Sequence, residues 1–227
     1  MLANYYRKKH SLSQIEPRSP TARPAPRYLF YRSLGFAVLE HLDLPCGYTA
    51  SLWWPSLRKP WPSGMKSLRT RARFAFRSVL DRAHIFATCE VGAVCVYYAD
   101  QCVHYSGFTP RYWRFPFLAD RDLQIGDTWT DPRHRGKGLA GYALGEILDM
   151  KEMRGRAFWY VVSDSNPRSI RVAERADFKL ASVGDFHKRW GINLLGAYIP
   201  QDAGAAALPA TGSARLGSPA SGIKQIR

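Results

Sequence analysis

The chain has 227 residues, 46% of them hydrophobic and 13% aromatic, and thirty-three Lys and Arg against eighteen Asp and Glu give it a net charge of +15. That apolar content suffices for one buried core and excludes a wholly disordered chain. No run of eighteen apolar residues occurs, which excludes a membrane-spanning helix. The N-terminus lacks the apolar stretch and small-residue cleavage site of a secretory signal. Four irregularly spaced cysteines (Cys46, Cys89, Cys95, Cys102), with no C-x-x-C, supply neither a disulfide scaffold nor a zinc framework. No metal is expected, and the thiols read as reduced side chains of a cytoplasmic protein.

Residues 1–27 carry +5 and four prolines, Pro17, Pro20, Pro24 and Pro26, and read as a flexible basic arm. Basic and aromatic residues stand together there (Tyr5, Tyr6, Arg7, Lys8), a mixture that nucleic-acid binding also uses. No RRM, KH or helix-turn-helix signature accompanies them, so a solvated arm is expected and nucleic acid is not an expected partner. Residues 28–200 hold +8 and form the expected domain, an excess that favours anionic partners.

Within that domain, residues 66–83 place Leu68, Ala72, Ala75, Phe76, Val79 and Leu80 near helical spacing with arginines on the other face, which predicts a helix packed by its apolar side. His84 to Tyr98 reads as a hairpin turning at Val91-Gly92, and 112–118 and 123–130 as further strands joined through ADRD. A helix is expected from Gly138 to about Met153, an apolar strand over 157–162, and a short helix over 169–176. A last pair of strands ends near Ile199. Residues 201–227, rich in Ala, Gly, Ser and Pro, read as a disordered tail.

The most informative stretch is TWTDPRHRGKGLAGYAL, residues 128–144. A strand ends at Thr130, Pro132 forbids its continuation, and two glycines stand at the mouth of a helix. The segment Arg135-Gly136-Lys137-Gly138-Leu139-Ala140 therefore forms a loop with free backbone N–H groups, small residues that admit a phosphate, and two cations beside a helix N-terminus. These features make a pyrophosphate cradle. It is neither a P-loop nor a G-x-G-x-x-G fingerprint.

The pattern R-x-x-G-x-A (Arg135, Gly138, Ala140), followed about thirty residues later by Asn166, Ser169, Glu174, Arg175 and Phe178, resembles the GNAT N-acetyltransferase superfamily. The resemblance covers about residues 75–185. It implies an α/β fold with a central mixed, mostly antiparallel sheet, splayed between the fourth and fifth strands and flanked by helices. It also implies acetyl-CoA or another acyl-CoA as donor, with its pyrophosphate on residues 135–140. The pantetheine arm is then expected along the backbone of Thr128, Trp129 and Thr130, with Asn166 and Ser169 beside it. An amine would attack the thioester, a backbone N–H of the 123–130 strand would stabilise the oxyanion, and an acid would protonate the thiolate. The +8 charge suggests an anionic acceptor, such as a nucleotide-linked amino sugar. A protein or peptide amine is the alternative, as is a non-catalytic module that binds a CoA ester.

The resemblance departs from its pattern at two positions: Asp177 stands where the helix commonly closes with Gly, in a backbone conformation that Asp tolerates, and the other departure is chemical. The family often has Tyr seven residues after the Asn, and here that residue is Ala173. Tyr97, Tyr98, Tyr105 and Tyr160 are the candidates to replace it, unranked by sequence. For the base, a carboxylate on the central strand is the natural choice, since an alkylamine is almost fully protonated at neutral pH. Asp127 is the leading candidate, with Asp122 and Asp164 as others. His104 and His134 read as structural or solvent-facing.

Overall fold

The computed structural model describes residues 26–34, 42–88, 90–150 and 155–201, so nearly all of the expected arm and tail lies outside the described residues. Eight strands form one sheet: β1 (Tyr28–Ser33), β2 (Tyr48–Trp53), β3 (Gly92–Tyr98), β4 (Gln101–Pro110), β5 (Leu123–Thr130), β6 (Phe158–Ser163), β7 (Lys179–Arg189) and β8 (Ile192–Pro200). Three helices accompany them among the described residues: α1 (Leu68–Arg82), α2 (Leu139–Asp149) and α3 (Pro167–Arg175).

The strand order is β2-β3-β4-β5-β6-β1-β7-β8. Every neighbouring pair is antiparallel except β5 and β6, which α2 joins as the crossover helix that a parallel pair requires. That parallel pair meets only at Leu123–Phe158, Gln124–Trp159 and Ile125–Tyr160, while β5 runs on to Thr130. The sheet thus parts between its fourth and fifth members, as the resemblance implied. β1, which carried no strand expectation, lies between β6 and β7 and pairs on both sides, with Tyr31 opposite Tyr160 and Leu180.

Two layers of side chains hold the sheet. Under α2 and α3, Ile125, Phe108, Leu144, Ile147, Phe158 and Phe178 form the larger core. Toward α1, Trp53, Phe74, Ala93, Cys95 and Tyr105 form a second. Cys95 and Cys102 are free thiols buried there, and the Cys102 thiol together with burial pushes the Cys95 thiol upward, which keeps it protonated.

Several expectations are corrected. The hairpin turns not at Val91-Gly92 but at Ala99-Asp100, both with positive φ (46° and 61°), the backbone that a two-residue hairpin needs; β4 follows it. Residues 112–118 are turns, closed by Phe115 N–H to Tyr112 O (3.0 Å) and Leu118 N–H to Phe115 O (3.3 Å). Their aromatic rings fill the gap over Phe30 and Trp159. α1 forms as expected but packs by another face. Phe74 meets Trp53 and Tyr105 edge-on, at 4.9 and 5.2 Å, and Ser78 donates to Pro60 O. Leu68, Phe76 and Val79, expected in the core, are exposed (80%, 39% and 54%). Burying Phe74 between two rings contributes about 1.5–3 kcal/mol, and that contact sets the helix rotation.

Candidate active site

The site begins where β5 ends. The Asp131 amide donates to Val103 O (2.8 Å), and its carboxylate accepts from the Arg133 amide (3.0 Å), starting a 3-10 turn at Pro132–His134. The same amide hydrogen bond holds the Asp131 carboxyl below its ordinary value. Gly136 and Gly138 then take φ of 77° and 78°, a region that L side chains enter only with strain.

The helix that follows is left open to an anion. Ser67 caps α1 through Thr70 N–H (3.3 Å), and Asn166 caps α3 through Ser169 N–H (3.2 Å). α2 starts from Gly138 with no side-chain cap, so no side chain answers its first amides. A Cβ added at Gly136 or Gly138 would meet nothing within 4 Å. Uncapped amides beside open space, at the positive end of a helix, fit a pyrophosphate group.

A cavity of about 1480 Å³ lies in front of this loop. Of the eleven residues expected to hold the donor, ten line it: Thr128, Trp129 and Thr130 from β5; Arg135, Gly136, Gly138, Leu139 and Ala140 from the loop and α2; and Asn166 and Ser169 from the start of α3. Lys137 does not. Its ammonium donates to the Tyr48 hydroxyl (2.8 Å) and sits over that ring, and the phenol passes a hydrogen bond to His134 Nδ1 (2.7 Å). The lysine thereby ties the loop to β2.

Tyr160 stands in the fork of the sheet. It is 4% exposed and lines the cavity, and its hydroxyl meets the side chains of Thr128 and Ser169. Burial pushes this phenol above its ordinary value, so it keeps its proton at neutral pH. Tyr97, Tyr98 and Tyr105 are not in the cavity wall: Tyr97 receives the Ser51 hydroxyl, Tyr98 packs on Tyr48, and Tyr105 stacks on Trp129. Of the four tyrosines that sequence left unranked, Tyr160 alone lines the cavity.

Behind Thr128 runs a buried polar chain that the sequence did not reveal as a unit. His104, fully buried, has Nδ1 at 2.8 Å from Thr130 Oγ1 and Nε2 at 3.1 Å from Ser106 Oγ, and Ser106 Oγ lies 3.2 Å from Thr128 Oγ1. Burial lowers the imidazole to about 3, so the ring is neutral, donating from one nitrogen and accepting at the other. The chain aims both threonine hydroxyls of β5.

The carboxylates separate by strand face. Asp127 has φ of 51° where the β4–β5 register shifts, and its oxygens are held by Arg73 and, at 3.2 Å, by Arg77 of α1. It is not part of the cavity wall, in contrast to its neighbour Thr128. Asp122 accepts the Trp159 indole N–H (2.9 Å) and the Ala119 amide, a structural use. Asp164 is exposed beyond β6, its amide bonded to Arg27 O. Ala173 is fully buried in the core beneath α3, so its position presents no side chain to the cavity. No cluster of three or more potential metal ligands occurs among the described residues.

The sequence profile of the acetyltransferase (GNAT) family matches residues 48–178, more than half of the chain, and the chain belongs to that family. Its members are generally acyl-CoA-dependent N-acetyltransferases. Among solved structures it is similar to a GCN5-related N-acetyltransferase from Sphaerobacter thermophilus, at 16% identity and a TM-score of 0.50, over 71% of this chain and 50% of that one. A GCN5-related N-acetyltransferase from Kribbella flavida aligns at 15% identity and a TM-score of 0.43, over 69% and 55%. A tandem GNAT protein from the clavulanic acid biosynthesis pathway aligns at 14% and 0.49, over 70% and 51%. The chain thus spans about half the length of these solved proteins. No curated protein sequence is a significant match.

Proposed function

We propose that this chain transfers an acetyl or other acyl group from acyl-CoA to an amine. The observation that carries the reading is the fork: β5 loses its β6 partner after Ile125 beside an uncapped, glycine-opened helix N-terminus. From Gly126 to Thr130 the β6-side backbone of β5 has no strand to pair with, so the amides of a pantetheine arm supply the missing ladder, while the 135–140 loop takes the pyrophosphate. The thioester then lies between Thr128 and Tyr160.

The attacking amine forms the new C–N bond as the carbonyl oxygen gains charge, which a backbone N–H of β5 stabilises. The C–S bond breaks, and Tyr160 donates its proton to the departing sulfur. The acceptor amine loses its proton to water or to a base. We assign the acid role to Tyr160 because it is the one candidate tyrosine in the cavity wall, and its phenol is protonated at neutral pH.

The acceptor enters from the α1 face, where Arg73 and Arg77 outnumber Asp127. The local excess of positive charge favours an amine on an otherwise anionic molecule, such as a nucleotide-linked amino sugar. Asp127, with both oxygens engaged by guanidinium groups, positions those arginines. The site of action proposed is the cytoplasm, where acyl-CoA is available.

The test is amine-dependent thiol release from acetyl-CoA across amino sugars, nucleotide-linked amino sugars, peptides and polyamines. The reading expects release, strongest with anionic acceptors. Ala173 in the core supports a second reading, a CoA-binding module without turnover. Tight CoA binding with no amine-dependent release would favour that one.

A further inference from the structure

α1 carries a helix-packing seam on its solvent side. Leu68, Ala72, Ala75 and Val79 follow one another at steps of four, three and four, the spacing by which one helix sets its side chains between those of another. Phe76 lies beside them on the same side. Phe74 and Ser78 fix the helix to the rest of the domain by a different side, so the seam faces outward: Leu68, Ala72, Phe76 and Val79 are exposed and Ala75 is half-buried. An apolar row held in water is unfavourable, and contact with another apolar surface relieves it.

The border of the seam is basic. Arg69 and Arg71 flank its first turns and Arg82 stands at its end. The one acid of the helix, Asp81, is half-buried on the side that carries Phe74 and Ser78. Among the described residues Arg69 and Arg82 have no hydrogen-bond or ion-pair partner, while Arg71 directs its Nε to Met65 O (2.7 Å).

This border selects the occupant. An antiparallel pair of copies would set Arg69 and Arg71 of one against Arg82 of the other, between two chains that each carry +15. Both ends of the chain are basic too, with +5 over residues 1–27 and +2 over residues 201–227 (Arg215, Lys224 and Arg227 against Asp202). A lipid surface suits a broad face of large apolar side chains bordered by cations free to reach headgroups. Here two of the four seam residues are alanines, and Arg71 and Arg73 are tied to Met65 and Asp127. Alanines between larger residues instead leave hollows for the side chains of a facing helix.

We infer that the outward face of α1 docks an acidic amphipathic helix of another protein. Its apolar row lies along Leu68, Ala72, Ala75 and Val79, and its carboxylates meet Arg69 and Arg82. No residue of α1 belongs to the wall of the donor cavity, so the inference stands apart from the acyl-transfer reading.

The experiment uses two fluorescein-labelled peptides of about three heptads, both with Ile and Leu in the seam, one with Glu and the other with Lys on either side of it. Anisotropy reads their binding to the whole chain. At about 0.1 M salt the acidic peptide should bind about tenfold tighter than the basic one, and about 1 M salt should shrink that ratio. Leu68→Gln/Val79→Gln should weaken the acidic peptide about tenfold or more. Thermal unfolding of that variant should be unchanged, because both side chains are exposed. Arg69→Gln/Arg82→Gln should bring the two dissociation constants together. Equal binding of the two peptides, no binding of the acidic one, or binding indifferent to Leu68→Gln/Val79→Gln would overturn the inference. Adsorption to vesicles of phosphatidylglycerol and phosphatidylcholine that is lost in Leu68→Gln/Val79→Gln would overturn it in favour of a lipid surface. Self-association in sedimentation equilibrium, lost in the same variant, would overturn it in favour of a second copy.

Discussion

Ile125 and Tyr160 are the last residues of β5 and β6 to face each other across the parallel pair. Beyond Ile125, β4 is the one strand that β5 pairs with among the described residues, and Tyr160 turns its hydroxyl toward Thr128. One residue thus closes the ladder and carries the hydroxyl proposed as the acid, so removing that hydroxyl should affect chemistry without opening the fork. Tyr160→Phe should lower kcat by about 10²–10⁴, the usual contribution of a positioned acid or base, with the CoA dissociation constant nearly unchanged. Steady-state kinetics beside calorimetry makes the comparison, and full kcat in the phenylalanine variant would remove Tyr160 from the mechanism.

Restoring the family's tyrosine should not help. Ala173 is fully buried among Ile147, Phe158 and Phe178, and a phenol ring there overpacks the core. Ala173→Tyr should cost about 1–3 kcal/mol of stability, read from urea unfolding, and bring no gain in rate. A faster and equally stable variant would show that the position reaches the cavity after all.

CoA at a hundred times its dissociation constant should stabilise the unmodified chain by about 2.7 kcal/mol. Gly138→Glu should abolish this. The carboxylate would project into the open space before the α2 amides and repel the pyrophosphate, and its backbone would be strained at φ of 78°. Thermal shift with and without CoA reads both effects. A ligand shift that persists in the variant would move the phosphate site elsewhere.

His104 makes stability depend on pH in a defined direction. Its folded value, about 3, lies below the unfolded value near 6.5, so the unfolded chain binds the extra proton first. Its contribution is complete above pH 6.5 and is lost as pH falls through the window down to about 3. At pH 5 the loss should be about 2 kcal/mol. Urea unfolding at pH 7 and pH 5, compared with His104→Asn, isolates this share, since the asparagine variant should lose less between the two pH values. Equal losses would show that the imidazole is not held neutral.

Asp127→Asn tests whether that carboxylate is a base or an anchor for arginines. As an anchor its removal leaves Arg77, nearly buried, without its counter-charge, and should cost about 1–3 kcal/mol of stability. The accompanying loss in kcat/KM should be equal at pH 6.5 and pH 9. A loss that shrinks at high pH, where the acceptor amine is already neutral, would return Asp127 to the base role.

The loop that opens α2 was legible because local chemistry writes it. Pro132 ends a strand, Gly136 and Gly138 open a loop, and an apolar helix follows; these are short-range rules that act wherever the chain folds. Asn166 and Ser169 were legible for a similar reason, as a cap and the amide it receives. Tertiary structure alone decided the rest. Strand parity with a register shift at Asp127 turned that side chain toward α1 and Thr128 toward the cavity, and no alternation pattern predicts a bulge. The pairing of His104 with Thr130 and Ser106 depends on the alignment of two strands. The rotation of α1 followed Phe74 into a space between rings from β2 and β4, against its own apolar periodicity. β1 found its place between β6 and β7 through partners about 130 and 150 residues away in sequence, a register that follows from long-range pairing and that periodicity within the strand does not encode.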